Sequence, residues 1–133
     1  MKRMMLALLL AALLLTGCTA PTPSAVHETN TYSQITMQEA VEMMEKEDNY
    51  IILDVRTHEE FTAGHIPGAI VIPNETIGTE DIPQLPDKDQ LIMVYCRSGN
   101  RSKQASDKLV QLGYNNIVEF GGIIDWPGEV VVN

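Results

Sequence analysis

The stretch Leu91-Ile92-Met93-Val94-Tyr95-Cys96-Arg97-Ser98-Gly99-Asn100-Arg101-Ser102 constrains this chain more than any other. Its first five residues are apolar without alternation, the pattern of a strand buried on both faces of a parallel sheet. One cysteine, two arginines, a glycine and three small polar residues follow. Beyond Ser102, the apolar positions Ala105, Leu109 and Leu112 recur at helical spacing, and Gly113 stands where a helix would stop. The segment therefore reads as strand, tight loop and helix. In that arrangement the backbone N–H groups of the loop and the first helical turn converge on one small volume. Such a cradle binds anions, and it pushes a thiol placed within it toward thiolate. A free cysteine is most often an inert buried thiol, but an inert one has no need of flanking arginines and glycine. The stretch is a candidate nucleophile loop centred on Cys96.

A second apolar run, Tyr50-Ile51-Ile52-Leu53, ends in Asp54-Val55-Arg56. Buried-type strands separated by helical and loop segments predict an α/β domain with an open parallel sheet. Ligands of such sheets sit outside the carboxyl ends of the strands, where both Asp54 and Cys96 fall. Thr36-Met37-Gln38-Glu39 has the form of a capping box, with Ile35 placed to staple against Ala40. Met37, Ala40, Val41 and Met44 then mark one apolar helical face, and Glu42, Glu45, Glu47 and Asp48 its solvated side. Thr57-His58-Glu59-Glu60 repeats the capping pattern and opens a short helix that Gly64 ends. Ile70-Val71-Ile72 reads as a third strand and Asn116-Ile117-Val118-Glu119-Phe120 as the last. Gly121-Gly122 then bends the chain into a final short helix where Trp126 packs.

The amino terminus reads as an address. Lys2 and Arg3 precede an apolar run at residues 4–15, shorter than the ~18 residues a membrane span needs. Leu15-Thr16-Gly17-Cys18 resembles the lipobox of bacterial lipoproteins, in which cleavage precedes the cysteine and the cysteine is acylated. Residues 1–17 are thus expected to be a signal peptide, 18–32 the lipidated Cys18 and a flexible tether, and 33–133 a single domain. The expected location is outside the cytoplasm, lipid-anchored to a bacterial membrane on its periplasmic or outer face. Cleavage would leave 116 residues and move the net charge from −9 to −11. An acidic chain argues against nucleic acid as a partner, and against attraction to anionic lipids beyond the anchor itself. With Cys18 acylated, Cys96 would be the one free thiol, so no disulfide framework is expected.

Asp54-Val55-Arg56, Glu60-Phe61, Gly64-His65-Ile66-Pro67-Gly68-Ala69, the loop from Cys96 to Ser102 and Gly121-Gly122-Ile123-Ile124-Asp125-Trp126 fall in one order and spacing. Together they resemble the rhodanese family of sulfurtransferases over nearly all of the chain beyond the tether. The resemblance implies an open parallel sheet flanked by helices on both faces. It implies a ping-pong reaction in which Cys96 takes a sulfane sulfur from thiosulfate or a polysulfide as a persulfide. Arg97, Ser98, Gly99, Asn100, Arg101 and Ser102 would bind the donor. The two arginines would recruit the anion, Arg101 the favoured one from its place at the loop's end; Ser98, Asn100 and Ser102 would shape and cap the backbone. His65 belongs to a structural turn, and Asp54 with Arg56 reads as a fold-stabilising pair. The partners implied are a small anionic sulfur donor and a thiophilic acceptor, with no organic cofactor and no metal; nothing in the sequence speaks to an oligomer. Cysteine-dependent phosphatases and arsenate reductases place five residues between cysteine and arginine, whereas Cys96 and Arg101 have four. A non-catalytic sulfur-binding or docking module on the same fold is the alternative, and its usual mark would be a lost cysteine.

Overall fold

The computed structural model describes Gly17 and residues 31–132. The expected signal peptide and Cys18, and the tether up to residue 30, lie outside the described residues, apart from Gly17. Five strands form one parallel sheet: β1 (Ser33–Gln34), β2 (Tyr50–Asp54), β3 (Ile70–Val71), β4 (Leu91–Cys96) and β5 (Ile117–Gly122). Their order across the sheet is β1-β5-β4-β2-β3, so β4 is central and carries its last residue, Cys96, at the carboxyl edge. Asp54 pairs with Tyr95 in register, which puts the end of β2 beside the end of β4.

Each strand residue faces one side or the other, and both sides are covered. Ile92, Val94 and Cys96 share one core with Leu53, Val55 and Ile117, closed by Ala105 and Leu109 of helix α3 (Asn100–Gln111). Met93 and Tyr95 point the other way, into a core with Ile52, Ile66 and Phe120. Ala40, Met37, Met43 and Met44 of α1 (Met37–Lys46) and Phe61 of α2 (His58–Ala63) cover that side. Met37 and Met44 fill this core at the spacing read from sequence, joined by Met43 in place of the expected Val41. Each fully buried side chain of these cores, such as Leu53, Ile92 or Met93, contributes roughly 1.5–3 kcal/mol. Tyr32, counted with the tether on sequence, packs against the first core.

Both capping boxes form. Thr36 Oγ1 accepts from the Glu39 amide at 3.2 Å while Glu39 accepts from the Thr36 amide at 2.7 Å. Thr57 and Glu60 repeat the pair at 3.2 and 3.0 Å. Three boundaries differ from the sequence reading. Helix α3 starts at Asn100 rather than after Ser102, because Gly99, in the left-handed region at φ 110°, turns the chain at once. Strand β5 continues through Gly121 and Gly122, past a register shift opposite Val94 and Cys96. The final helix is a single 3-10 turn at Ile123–Asp125, after which Trp126 packs on the second core as expected.

Candidate active site

Strand β4 delivers Cys96 to the sheet edge and α3 begins four residues later, so the loop has room for only Arg97, Ser98 and Gly99. Gly99 supplies the positive φ that the turn needs, at little steric cost. The end of β5 crosses beneath: a Cβ on Gly122 would lie 2.0 Å from the Arg97 carbonyl oxygen and 2.5 Å from the Ser98 nitrogen. Only glycine fits there. The contact is continued by the Ile124 amide, which donates to the Arg97 carbonyl at 3.3 Å. The loop is therefore braced from below by the Gly121-Gly122 pair that the sequence marks as a bend.

Cys96 is 1 % exposed and is a free thiol. Its Sγ accepts from the Gly99 N–H at 3.0 Å and lies 3.4 Å from Ser102 Oγ. Burial pushes the thiol up. The Ser102 hydroxyl and the amides of Ser102, Gly99 and Ser98 pull it down by more, so it sits below the ordinary cysteine value. The cradle read from sequence is thus present as amides and one hydroxyl converging on sulfur at the amino end of α3.

The other loop residues divide in ways the sequence did not resolve. Arg97, Ser98 and Asn100 are exposed, and Gly99 is buried. Arg101, favoured as the donor-binding arginine, is half-buried and forked onto Glu60: Nη1 to Oε2 at 2.7 Å and Nη2 to Oε1 at 2.9 Å. Its charge is answered by a carboxylate of the protein, and that pairing draws Glu60 down to about 2. Ser102, read as a backbone-shaping residue, is instead fully buried against the thiol, and its hydroxyl also lies 2.6 Å from Glu119 Oε1. Sequence reasoning missed both acids. Glu60 was absorbed by its capping role. Glu119 carried a readable signal, a lone carboxylate inside the apolar run Ile117-Val118-Glu119-Phe120, and it is 3 % exposed.

Asp54 and Arg56 are structural, as read. Arg56 donates to both Asp54 oxygens at 2.6 and 3.0 Å and to the Gly64 carbonyl at 2.7 Å. Tyr95, from the far face of β4, donates to Asp54 at 2.7 Å and accepts from the Ile66 amide at 3.2 Å. This buried knot ties β2, β4 and the turn at His65 together. His65 stacks on Phe61 with ring centres 3.7 Å apart, and its backbone bridges to Val131. A surface cleft of about 440 Å³ between Ile72 and Gln84 shares no lining residue with the cysteine loop.

The family model for the rhodanese-like domain matches residues 36–128. The chain belongs to the rhodanese-like domain family. Among its relatives, thiosulfate sulfurtransferase PspE of Escherichia coli K12 is 36% identical over 73 residues, covering 55% of this chain and 70% of PspE. The adenylyltransferase and sulfurtransferase UBA4 of Meyerozyma guilliermondii is 35% identical over 96 residues, covering 66% of this chain. The chain spans 22% of the length of UBA4, so it corresponds to one part of that protein. The crystal structure of a rhodanese-related protein from Thermoplasma volcanium superposes with a TM-score of 0.64 at 31% identity, covering 77% of this chain and all of that one. The rhodanese fold, a parallel sheet flanked by helices, is thus shared with solved rhodanese-like domains. On this rhodanese-like frame, the matched span contains the whole of the cysteine loop, together with Glu60 and Glu119.

Proposed function

We propose that this chain is a sulfurtransferase that moves sulfane sulfur from thiosulfate or a polysulfide to a thiophilic acceptor through a persulfide on Cys96. The observation that carries the reading is the sulfur atom itself, held at the end of β4 by the Gly99 amide at 3.0 Å and the Ser102 hydroxyl at 3.4 Å. Sulfurtransferases among the relatives support sulfur transfer as the general chemistry. In the first half-reaction the Cys96 thiolate attacks the sulfane sulfur and forms an S–S bond. The donor's S–S bond breaks, and its electron pair leaves on sulfite. In the second, the acceptor attacks the outer sulfur, and the electron pair of the persulfide bond returns to Cys96. Amides aimed at Sγ stabilise the thiolate that attacks and the thiolate that leaves. The loop is one residue shorter than a phosphatase loop, which leaves a smaller ring of amides than a tetrahedral phosphate needs. The resemblance of Leu15-Thr16-Gly17-Cys18 to a lipobox supports, in the same proposal, an exported and lipid-anchored protein.

The test is turnover of thiosulfate and cyanide to sulfite and thiocyanate. Cys96→Ser is expected to lose all measurable turnover while keeping its far-UV circular dichroism and urea midpoint. Substantial turnover by a folded Cys96→Ser protein would rule out the persulfide route.

A further inference from the structure

Ser102 has one hydroxyl hydrogen and too many acceptors. Glu119 Oε1 lies at 2.6 Å from its Oγ, the Gly99 carbonyl at 2.9 Å, and Cys96 Sγ and the Gly121 carbonyl at 3.4 Å. Glu119 Oε1 also accepts from the Gly121 amide at 2.9 Å. Ser102 and Glu119 are 0 and 3 % exposed, so water does not make up the difference. Among the described residues Glu119 forms no ion pair; Arg56, Lys88 and Arg101 are taken by Asp54, Asp81 and Glu60. The ionisable groups near the chain of contacts are Tyr32, which feels Glu119 on one side and Asp107 on another, and Arg101, which feels Cys96, its partner Glu60 and Glu75.

With Cys96 as a thiol, all the bonds can be made: S–H to Ser102 Oγ, and Ser102 O–H to the Glu119 carboxylate. With Cys96 anionic, sulfur and Glu119 would both need the single Ser102 hydrogen. Two neighbouring buried anions are also mutually unfavourable. Both problems vanish if Glu119 holds a proton, because its O–H then donates to Ser102 Oγ while Ser102 donates to sulfur.

We propose that Glu119 is a positioning residue which, through Ser102, stores the Cys96 proton while the cysteine carries sulfur. The inference rests on the sulfur-transfer reading. The Cys96 S–H hydrogen passes to Ser102 Oγ and the Ser102 hydrogen to Glu119 Oε1, and the thiolate so formed bonds to the sulfane sulfur of thiosulfate. Sulfite leaves with the electron pair of the broken S–S bond. Thiol, carboxylate and thiosulfate become persulfide anion, carboxylic acid and sulfite, with atoms and charge balanced and no proton taken from solvent. When cyanide removes the outer sulfur as thiocyanate, the proton returns to Cys96 by the same route. The buried site so carries one negative charge in both states.

The experiment is the infrared difference spectrum of the full-length protein, thiosulfate-loaded minus unloaded, with mass spectrometry on the same samples. No sulfur gained by Cys96 would sink the sulfur-transfer reading itself. Where sulfur is gained, a new carboxylic acid carbonyl band is expected in the wild type and absent from Glu119→Gln, whose amide oxygen still accepts from Ser102 and Gly121. A loaded wild type without the band, or a band that persists in Glu119→Gln, overturns the proposal. Should Glu119→Gln fail to fold, carbon-13 glutamate labelling of the wild type decides, since a band that does not shift excludes Glu119. Glu119→Gln should also load sulfur roughly tenfold or more slowly at mildly acidic pH, with the defect closing as rising pH ionises the thiol directly. A defect of equal size at every pH would show a purely structural role and contradict the proposal.

Discussion

At the scale of single residues, the loop sets one sulfur atom among donors, and two of its residues, Ser102 and Arg101, are in turn bonded to acids, Glu119 and Glu60. Arg101 and Glu60 form the outer pair, with side chains 28% and 31% exposed. Glu60→Gln isolates its charge, because glutamine keeps the capping bond to the Thr57 amide that Glu60 makes at 3.0 Å. If Arg101 recruits the anionic donor, removing the competing carboxylate should lower KM for thiosulfate about threefold, an effect of the size of one partly exposed ion pair. A KM that rises would mean that Arg101 serves to hold the loop against α2. The same variant has a signature in acid. Glu60 at about 2 lies below the unfolded carboxylate, so its pairing stabilises the fold above pH ~4.3 and is lost as pH falls toward 2. The stability gap between wild type and Glu60→Gln should therefore be open at neutral pH and closed near pH 2.

At the scale of elements, the loop depends on β5 as much as on β4 and α3. Gly122→Ala puts a methyl 2.0 Å from the Arg97 carbonyl oxygen, so backbone must move. A cost of about 1–3 kcal/mol is expected, together with a loss of sulfur transfer. Gly99→Ala meets nothing closer than 3.8 Å and carries only the strain of its φ of 110°, near ~1 kcal/mol. Urea midpoints compare the two directly; a milder loss at Gly122 than at Gly99 would contradict the bracing of the loop by β5. The elements were legible where period and caps speak: the unbroken apolar run of β4, the two capping boxes and the methionine face of α1. What the sequence did not reveal lies across the sheet. Glu60 and Arg101 are 41 positions apart and Ser102 and Glu119 are 17 apart, so no local spacing announces either contact. The loop's length hid Ser102 as well, since moving the helix start back to Asn100 turns a residue expected at a cap into one aimed inward.

At the scale of the whole molecule, the fold gathers these contacts at one edge of a sheet whose central strand ends in Cys96. Nearly everything else is support: two apolar cores, one per face, and the Asp54–Arg56–Tyr95 knot that locks the neighbouring strand ends. Among the described residues no helix is long and apolar enough to cross a membrane, and the proposed anchor rests on Leu15-Thr16-Gly17-Cys18. Cys18→Ala is expected to abolish incorporation of labelled fatty acid and to leave the leader uncleaved; label that still enters the variant would remove the anchor from the account. The central claim is that Cys96 carries sulfur, and mass spectrometry of the purified protein after incubation with thiosulfate tests it most directly. The Cys96 peptide is expected to gain the mass of one sulfur atom and to lose it on addition of cyanide. A Cys96 peptide of unchanged mass, in a folded protein whose thiol still reacts with iodoacetamide, would contradict it.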